Sequence, residues 1–161
     1  MNEKPHRPVH PWFWAGVLLT LVKLWLVRGQ AIYAIGPADH DDRLFLQLAD
    51  HLVRGEWLGP YNQLTLAKGP FYSCWVAFVY FLGLPLFFAQ HLLYAAGCAF
   101  FVRAVRPAIA SGAARFAIYA LLLWNPMSFD ASSMGRVLRQ HVYGPLALML
   151  FAGLIALYLR R

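Results

Sequence analysis

The stretch VYGPLALMLFAGLIALYL, residues 142–159, contains no charged side chain and is followed directly by Arg160 and Arg161. An apolar run of about 18 residues is typical of a helix that crosses a lipid bilayer. Paired arginines at its end are typical of the cytoplasmic side, because cytoplasmic loops are enriched in Lys and Arg. We therefore expect a transmembrane helix that runs from the outer to the inner face.

The composition of the whole chain indicates the same class of protein. Hydrophobic residues make up 60% of the 161 positions and charged residues only 13%, and the mean hydropathy is +0.51. Soluble domains are about 25% charged. The formal net charge of +7 would suggest a nucleic-acid partner in a soluble protein. Here the basic residues lie mainly between apolar runs, so the positive-inside bias explains them and no nucleic-acid partner is expected.

We predict an all-α polytopic membrane protein in which residues 1–161 form a single domain with about four transmembrane helices. A helix at 71–82 is assigned to the outer interface, because two full crossings there would place Arg103 and Arg106 opposite the basic N-terminus. Both termini are then cytoplasmic, and Lys23 is expected to extend towards the headgroups at the outer end of the first span. The predicted spans are 12–27, 86–105, 114–124 with an extension towards 129, and 142–159, and the outer loop with surface helices is 28–85.

Within this outer loop, residues 42–53 have the spacing of an amphipathic helix. Its apolar face is formed by Leu44, Phe45, Leu48 and Leu52. Asp41 or Asp42 is expected to cap its start, and Gly55 to end it. A helix of this kind is typical of the membrane surface.

Acidic residues concentrate at the start of this helix, in the segment Pro37-Ala38-Asp39-His40-Asp41-Asp42-Arg43. Three of the seven Asp and Glu residues of the chain lie within these seven positions. Adjacent carboxylates repel each other, which favours proton uptake by Asp41 or Asp42 and a role as general base. The pair could equally coordinate a hard divalent cation, or simply stabilise the start of the helix through its macrodipole.

Two basic segments could bind an anionic phosphate. Lys68, in Lys68-Gly69-Pro70 with Tyr72 nearby, could hold a phosphate or diphosphate headgroup, or serve as an ordinary interfacial anchor. Arg136 and Arg139 are three residues apart, which predicts one shared helix face on the outer side, where positive charge is not expected. That pair suits an anionic lipid headgroup, with plain phospholipid contact as the alternative. The six histidines show no metal-ligand spacing, and only His40 adjoins the acidic pair.

In this order, the pieces resemble the first part of a membrane glycosyltransferase of the GT-C superfamily. They are most similar to the protein-mannosyltransferase and aminoarabinose-transferase-like group, which uses polyprenyl-phosphate sugars. Asp41 matches the catalytic Asp of that group, Asp42 replaces its Glu, and Phe45 stands at its aromatic position. Gly55-Glu56-Trp57 matches its Gly-x-Trp turn. Lys68-Gly69-Pro70 matches its Lys-Pro-Pro-like motif, with Gly69 in place of the usual proline.

The resemblance implies sugar transfer from a polyprenyl-phosphate donor at the outer face of a bacterial inner membrane. Asp41 would accept the proton of the acceptor hydroxyl, Asp42 would assist or bind a metal, and Lys68, Arg136 and Arg139 would hold the leaving phosphate. Family members have more spans, so the chain is expected to be the N-terminal part of a larger fold or a small relative that needs a partner subunit or a second copy. The alternative is a non-catalytic membrane module that binds membrane lipids, a lipid-linked sugar or a partner membrane protein.

Overall fold

The computed structural model of the chain describes residues 11–32, 41–61, 68–129 and 135–160. These residues form six α-helices and one short 3-10 helix at Pro126–Phe129. The all-α prediction is confirmed, and the observed helix ends differ by at most two residues from the predicted ones. The α-helices are α1 (Pro11–Val27), α2 (Asp41–Val53), α3 (Phe71–Phe81), α4 (Leu86–Ala104), α5 (Gly112–Leu123) and α6 (Gln140–Leu159).

Helices α1 and α5 run side by side in the same direction. The ring centroids of Trp12 and Phe116 lie 5.5 Å apart near the beginning of both helices. Further along, the hydroxyl groups of Thr20 and Tyr119 share a hydrogen bond of 2.6 Å. Contacts between positions that advance together along two helices require a parallel arrangement.

Helix α4 runs antiparallel to α5, because the end of α4 and the beginning of α5 line the same cavity. It runs parallel to α6, because Leu86 and Val142, at the beginnings of the two helices, pack in one core. The hydroxyl of Tyr94, in the first half of α4, donates a hydrogen bond of 2.6 Å to the carbonyl of Leu122 at the end of α5. Gly97 of α4 lies so close to α6 that a Cβ at this position would be 3.3 Å from the carbonyl oxygen of Pro145. The four helices therefore alternate in direction along the chain, as successive membrane crossings must.

Two helices, α4 and α6, are long and apolar enough to cross a membrane, whereas α1, α3 and α5 are apolar but shorter. The 12 residues of α5 rise only about 18 Å, against a hydrocarbon thickness of about 30 Å. The outward face of α6 exposes Leu150, Phe151, Leu154 and Leu157. A large exposed apolar surface of this kind indicates contact with lipid or another protein. The length and composition of α4 and α6 are compatible with a crossing. The crossings of all four helices, α1, α4, α5 and α6, stay a prediction.

Helices α2 and α3 form a separate layer at the end of the bundle where α4 and α6 begin. One face of α2 is buried against α3, as its 3–4 residue spacing of apolar side chains predicts. The core of this layer is formed by Phe45, Tyr72, Val137 and Val142. Because Val142 lies in the first turn of α6, this core attaches the α2–α3 layer to the bundle.

A tight turn ends α2 and fixes the direction of the chain that leaves it. Gly55 has φ +81° and Gly59 has φ +71°, values that glycine adopts without steric cost. A Cβ at Gly59 would lie 2.4 Å from the ring of His51. The predicted helix end at Gly55 is confirmed, and the Gly55-Glu56-Trp57 turn leaves Trp57 exposed.

The structure contradicts the prediction that Lys23 extends towards headgroups. Its side chain is only 1% exposed, and its Nζ donates hydrogen bonds to the carbonyl of Leu123 and, at 2.8 Å, to the hydroxyl of Ser128. The ammonium also lies 5.2 Å from the ring centroid of Tyr94. Leu123 ends α5, where unpaired carbonyls and the helix macrodipole attract a cation. These inward partners replace the expected path to the surface.

Candidate functional site

The candidate site is built at the first turn of α2, where Asp41 and Asp42 are adjacent. Successive residues of an α-helix point about 100° apart, so the two carboxylates face different surroundings. Asp42 is fully buried at 0% exposure, whereas the Asp41 side chain is 37% exposed. The acidic pair therefore consists of one interior and one accessible carboxylate.

Asp42 is held by Arg136 through two hydrogen bonds. The Arg136 guanidinium donates from Nε to Oδ2 at 3.1 Å and from Nη2 to Oδ1 at 2.8 Å. The two residues are 94 positions apart in the chain, and Arg136 precedes α6. This bidentate geometry is the strongest form of an arginine–carboxylate contact. It fastens the start of α2 to the segment that leads into α6.

Asp41 pairs with Lys68, and both members of the pair reach solvent. Lys68 Nζ lies 3.2 Å from Asp41 Oδ1, and each side chain is 37% exposed. Lys68 sits just before α3, in a turn where Gly69 has φ +72° and Pro70 caps the helix. A proline would be held near φ −65° at position 69, so the turn observed here needs the glycine.

Tyr72 does not face the accessible surface, in contrast to its predicted contact with substrate. It is fully buried, and its ring stands edge-on to Phe45 with centroids 4.9 Å apart. The amide of Gln90 donates a hydrogen bond of 2.9 Å to its hydroxyl. Burial raises the pKa of Tyr72 above its ordinary value, so the phenol stays neutral. Tyr72 supports the site from beneath as a core residue.

Arg136 and Arg139 do not share a helix face, because α6 begins only at Gln140. Two donors of Arg136 bind Asp42. A phosphate, which Arg136 was predicted to hold, would have to compete with Asp42 for these donors. Arg139 is exposed at the start of α6, and its side chain makes no ion pair within the described part of the chain. Arg139 is the more accessible of the two cations. His40 lies outside the described residues.

The donor set does not fit a divalent cation. Both oxygens of Asp42 accept hydrogen bonds from Arg136, and one oxygen of Asp41 contacts Lys68. A hard cation would have to displace both side-chain cations to gain carboxylate ligands. Nor do three or more His, Cys, Asp or Glu side chains gather into a metal-binding group in the described ranges.

An apolar groove of about 310 Å³ opens one helical turn beyond Asp42, at Leu46, and extends to the end of α3. Asp41, Asp42 and Lys68 do not line it. It lies between α2, α3 and the segment before α6, because its walls include Leu46, Val79 and Val137. Val137 follows Arg136 directly, which places apolar surface next to the charged cluster. The remaining lining residues are Ile32, Val76, Tyr80, Leu84 and Leu86.

A second polar cluster, around Lys23, was not predicted. His91 is 2% exposed, and its Nδ1 lies 3.0 Å from the carbonyl of Phe87. Its Nε2 is buried without a hydrogen-bond partner among the described residues. Asn125 donates to the hydroxyl of Tyr94 in the same region. In the sequence, Lys23 lies four residues before the end of an apolar helix. A lysine that anchors a helix at the membrane surface and a buried lysine both give this pattern, so the sequence does not distinguish them.

The chain was compared with protein-family models, with curated proteins and with solved structures, and none of the three comparisons finds a match. The function is therefore argued from the site alone.

Proposed function

We propose that the chain takes part in glycosyl transfer from a polyprenyl-phosphate sugar at the outer face of a membrane. One observation carries the proposal. A solvent-accessible carboxylate, Asp41, is held 3.2 Å from an equally accessible ammonium, Lys68, at the end of an apolar helix bundle. A base and a phosphate-binding cation at hydrogen-bond distance are the two groups that transfer from a phosphate ester requires.

In the proposed step, Asp41 accepts the proton of the acceptor hydroxyl as its oxygen forms a bond to the anomeric carbon of the sugar. The bond between that carbon and the phosphate oxygen breaks, and its electron pair leaves on the polyprenyl phosphate. Lys68, helped by Arg139, stabilises the negative charge of the departing phosphate. Asp42 and Arg136 position the first turn of α2 and touch neither reactant.

The apolar groove at Leu46, Val79 and Val137 supports a lipid-linked donor over a soluble one. Leu46 lies one helical turn after Asp42 and Val137 follows Arg136, so a polyprenyl chain seated there would have the charged cluster at one end of its binding surface. Apolar burial then supplies affinity, and the cations supply orientation.

We place the chain in a bacterial inner membrane with several crossings and with both termini cytoplasmic. Arg103, Arg106 and Arg115 lie at one end of the bundle, next to Trp12 and Phe13 at the beginning of α1. In the sequence, Lys4 and Arg7 precede that helix. The acidic pair lies at the other end, beside Arg136. This segregation agrees with the positive-inside rule if the acidic end is the outer one.

The test replaces Asp41 by Asn in chain reconstituted in proteoliposomes, together with any partner subunit required for transfer. Transfer of radiolabelled sugar from a polyprenyl-phosphate donor should fall by about 10²- to 10⁴-fold, the usual contribution of a general base. The matched control is Asp50→Asn on the same helix, because Asp50 is exposed and, among the described residues, its ion pair is with Arg54 four residues on. Full activity of the Asp41→Asn protein would remove Asp41 from the mechanism.

A non-catalytic membrane module is the second candidate, and the paired state of both carboxylates favours it. Asp41 and Asp42 each contact a cation, so their charges could serve only to fasten α2 to its neighbours. In that case the chain would bind a lipid-linked sugar or a partner membrane protein without transfer. Binding of the donor that is equal in the Asp41→Asn and unmodified proteins, with no transfer by either in any reconstitution, would support this alternative.

A further inference from the structure

A cavity of about 550 Å³ lies at the end of the bundle opposite to the acidic pair. It is open on one side and is bounded by the beginning of α1, the end of α4 and the beginning of α5. Its volume falls within the range of about 300–1,000 Å³ that is usual for small-molecule sites. Most of its wall is apolar or aromatic, and includes Trp12, Phe13, Val17, Phe116 and Tyr119.

Three arginines line the same cavity, namely Arg103, Arg106 and Arg115. None of them forms an ion pair with a carboxylate in the ranges that the structure describes. The described acidic residues all lie between positions 41 and 56, and each pairs with a different basic side chain. An apolar cavity with three uncompensated guanidinium groups is complementary to a ligand with an apolar tail and an anionic head.

The position of Arg115 strengthens this charge argument. It lies in the first turn of α5, where the macrodipole is positive and disfavours a cation. No acidic residue in that turn offsets it. Arg103, by contrast, lies in the last turn of α4, where a cation is favourable. A bound anion would relieve the repulsion at Arg115.

A glycine, Gly16, also lines the cavity. At Gly16 a Cβ would lie 3.7 Å from the ring of Tyr119, an ordinary contact, so a longer side chain would extend into the cavity. The hydroxyl of Tyr119 is already paired with Thr20. The part of the cavity at Gly16 and Tyr119 therefore offers apolar contact, and the arginines offer charge for an anionic headgroup.

We propose that this cavity binds one anionic phospholipid, with an acyl chain against the aromatic wall and the headgroup phosphate on the three arginines. A free phosphate would leave the apolar wall exposed to water. The N-terminal segment 1–10 is a poor occupant, because its basic residues Lys4 and Arg7 outnumber its one acid, Glu3, and its net positive charge would be repelled by the arginines. The site is independent of the proposed transferase site at the other end of the bundle.

The test is native mass spectrometry of the full chain in detergent micelles, titrated with phosphatidylglycerol or with phosphatidylcholine of identical acyl chains. The unmodified protein should bind phosphatidylglycerol on the order of 100-fold more tightly, because each basic residue contributes about 1 kcal/mol towards an anionic lipid. Combined Arg103→Gln, Arg106→Gln and Arg115→Gln substitution should abolish this preference. Arg160→Gln, at the exposed end of α6, should leave it unchanged.

Two further measurements separate the contribution of the acyl chain to the affinity from that of the headgroup phosphate. Gly16→Leu should weaken binding of both lipids, because it fills the acyl part of the cavity while the arginines remain. Inorganic phosphate at millimolar concentration should fail to displace phosphatidylglycerol. Equal affinity for the two lipids, a preference retained by the triple variant, or displacement by phosphate alone would each overturn the proposal. If the triple variant is unfolded by circular dichroism, Arg106→Gln in the exposed turn after α4 should still lower the preference by several-fold.

Discussion

Asp41 and Asp42 are neighbours in the chain, yet they belong to two regions that differ in solvent exposure. Asp42 and Arg136 form a buried clamp in which the carboxylate is inaccessible. Asp41 and Lys68 form an accessible pair in which each side chain is 37% exposed. The difference teaches that adjacent acids on a helix need not share a role, since successive side chains point about 100° apart.

The physical consequences of the two regions also differ. Removal of one partner from a buried ion pair leaves a charge without compensation in a medium of low dielectric constant, which is strongly destabilising. An exposed pair gains little net energy, because water and salt screen it. We therefore assign stability to the buried clamp and chemistry to the accessible pair.

The largest expected effect is that of Arg136→Gln. It should lower the free energy of unfolding by about 3–5 kcal/mol, because Asp42 is left buried without its cation. The measurement is denaturant titration in detergent micelles, followed by circular dichroism. Arg139→Gln is the matched control and should change the free energy of unfolding by less than about 0.5 kcal/mol, as exposed substitutions usually do. Equal free energies of unfolding for the two variants would show that the Asp42–Arg136 pair does not stabilise the fold more than an exposed arginine does.

A smaller effect is expected from Arg136→Lys, which keeps the positive charge but loses the planar fork. Only one of the two hydrogen bonds to Asp42 can then be made, so we expect a loss of about 1–2 kcal/mol. The same titration measures it. A loss as large as that of Arg136→Gln would mean that two-point geometry, rather than charge, holds the clamp.

The smallest effect on stability is expected from Lys68→Gln, at less than about 1 kcal/mol. In the unmodified protein, the same small stabilisation by the Asp41–Lys68 pair should disappear when salt is raised to about 1 M, because screening then acts over about 3 Å. Unfolding of both proteins at low and high salt checks this. A loss of several kcal/mol that resists salt would show that Lys68 belongs to the buried clamp.

The helices could be predicted from sequence because their signals are local. The apolar run at 142–159 and the Gly55 turn each mark an element without reference to the rest of the chain. The number of crossings could not be settled in the same way, because α1 and α5 are short and their crossing depends on tilt and neighbours. The direction of Lys23 was mispredicted for a similar reason, since its partners Leu123 and Ser128 are about 100 residues away in the chain.

The members of the site could also be chosen from sequence, but their pairing could not. Asp41, Asp42, Lys68 and Arg136 all lie at one end of the bundle. A local signal did exist for Asp42, because the 3–4 residue spacing of Asp42, Phe45 and Ala49 places it on the buried face of α2. Which arginine meets it depends on the path of the chain before α6. Tyr72 was assigned to the surface because an aromatic near the interface has the same sequence pattern as a core residue.

The most direct test of the central claim is binding of a polyprenyl-phosphate sugar to the folded, purified chain. Scintillation proximity with a labelled donor should give saturable binding that Lys68→Gln weakens by about tenfold, since one charge-assisted contact is worth about 1.5–3 kcal/mol. Asp41→Asn should leave the donor affinity within about threefold, because the base acts on the acceptor. Absence of saturable binding, in protein that circular dichroism shows to be folded, would contradict both the proposed glycosyl transfer and the alternative of a non-catalytic module that binds a lipid-linked sugar.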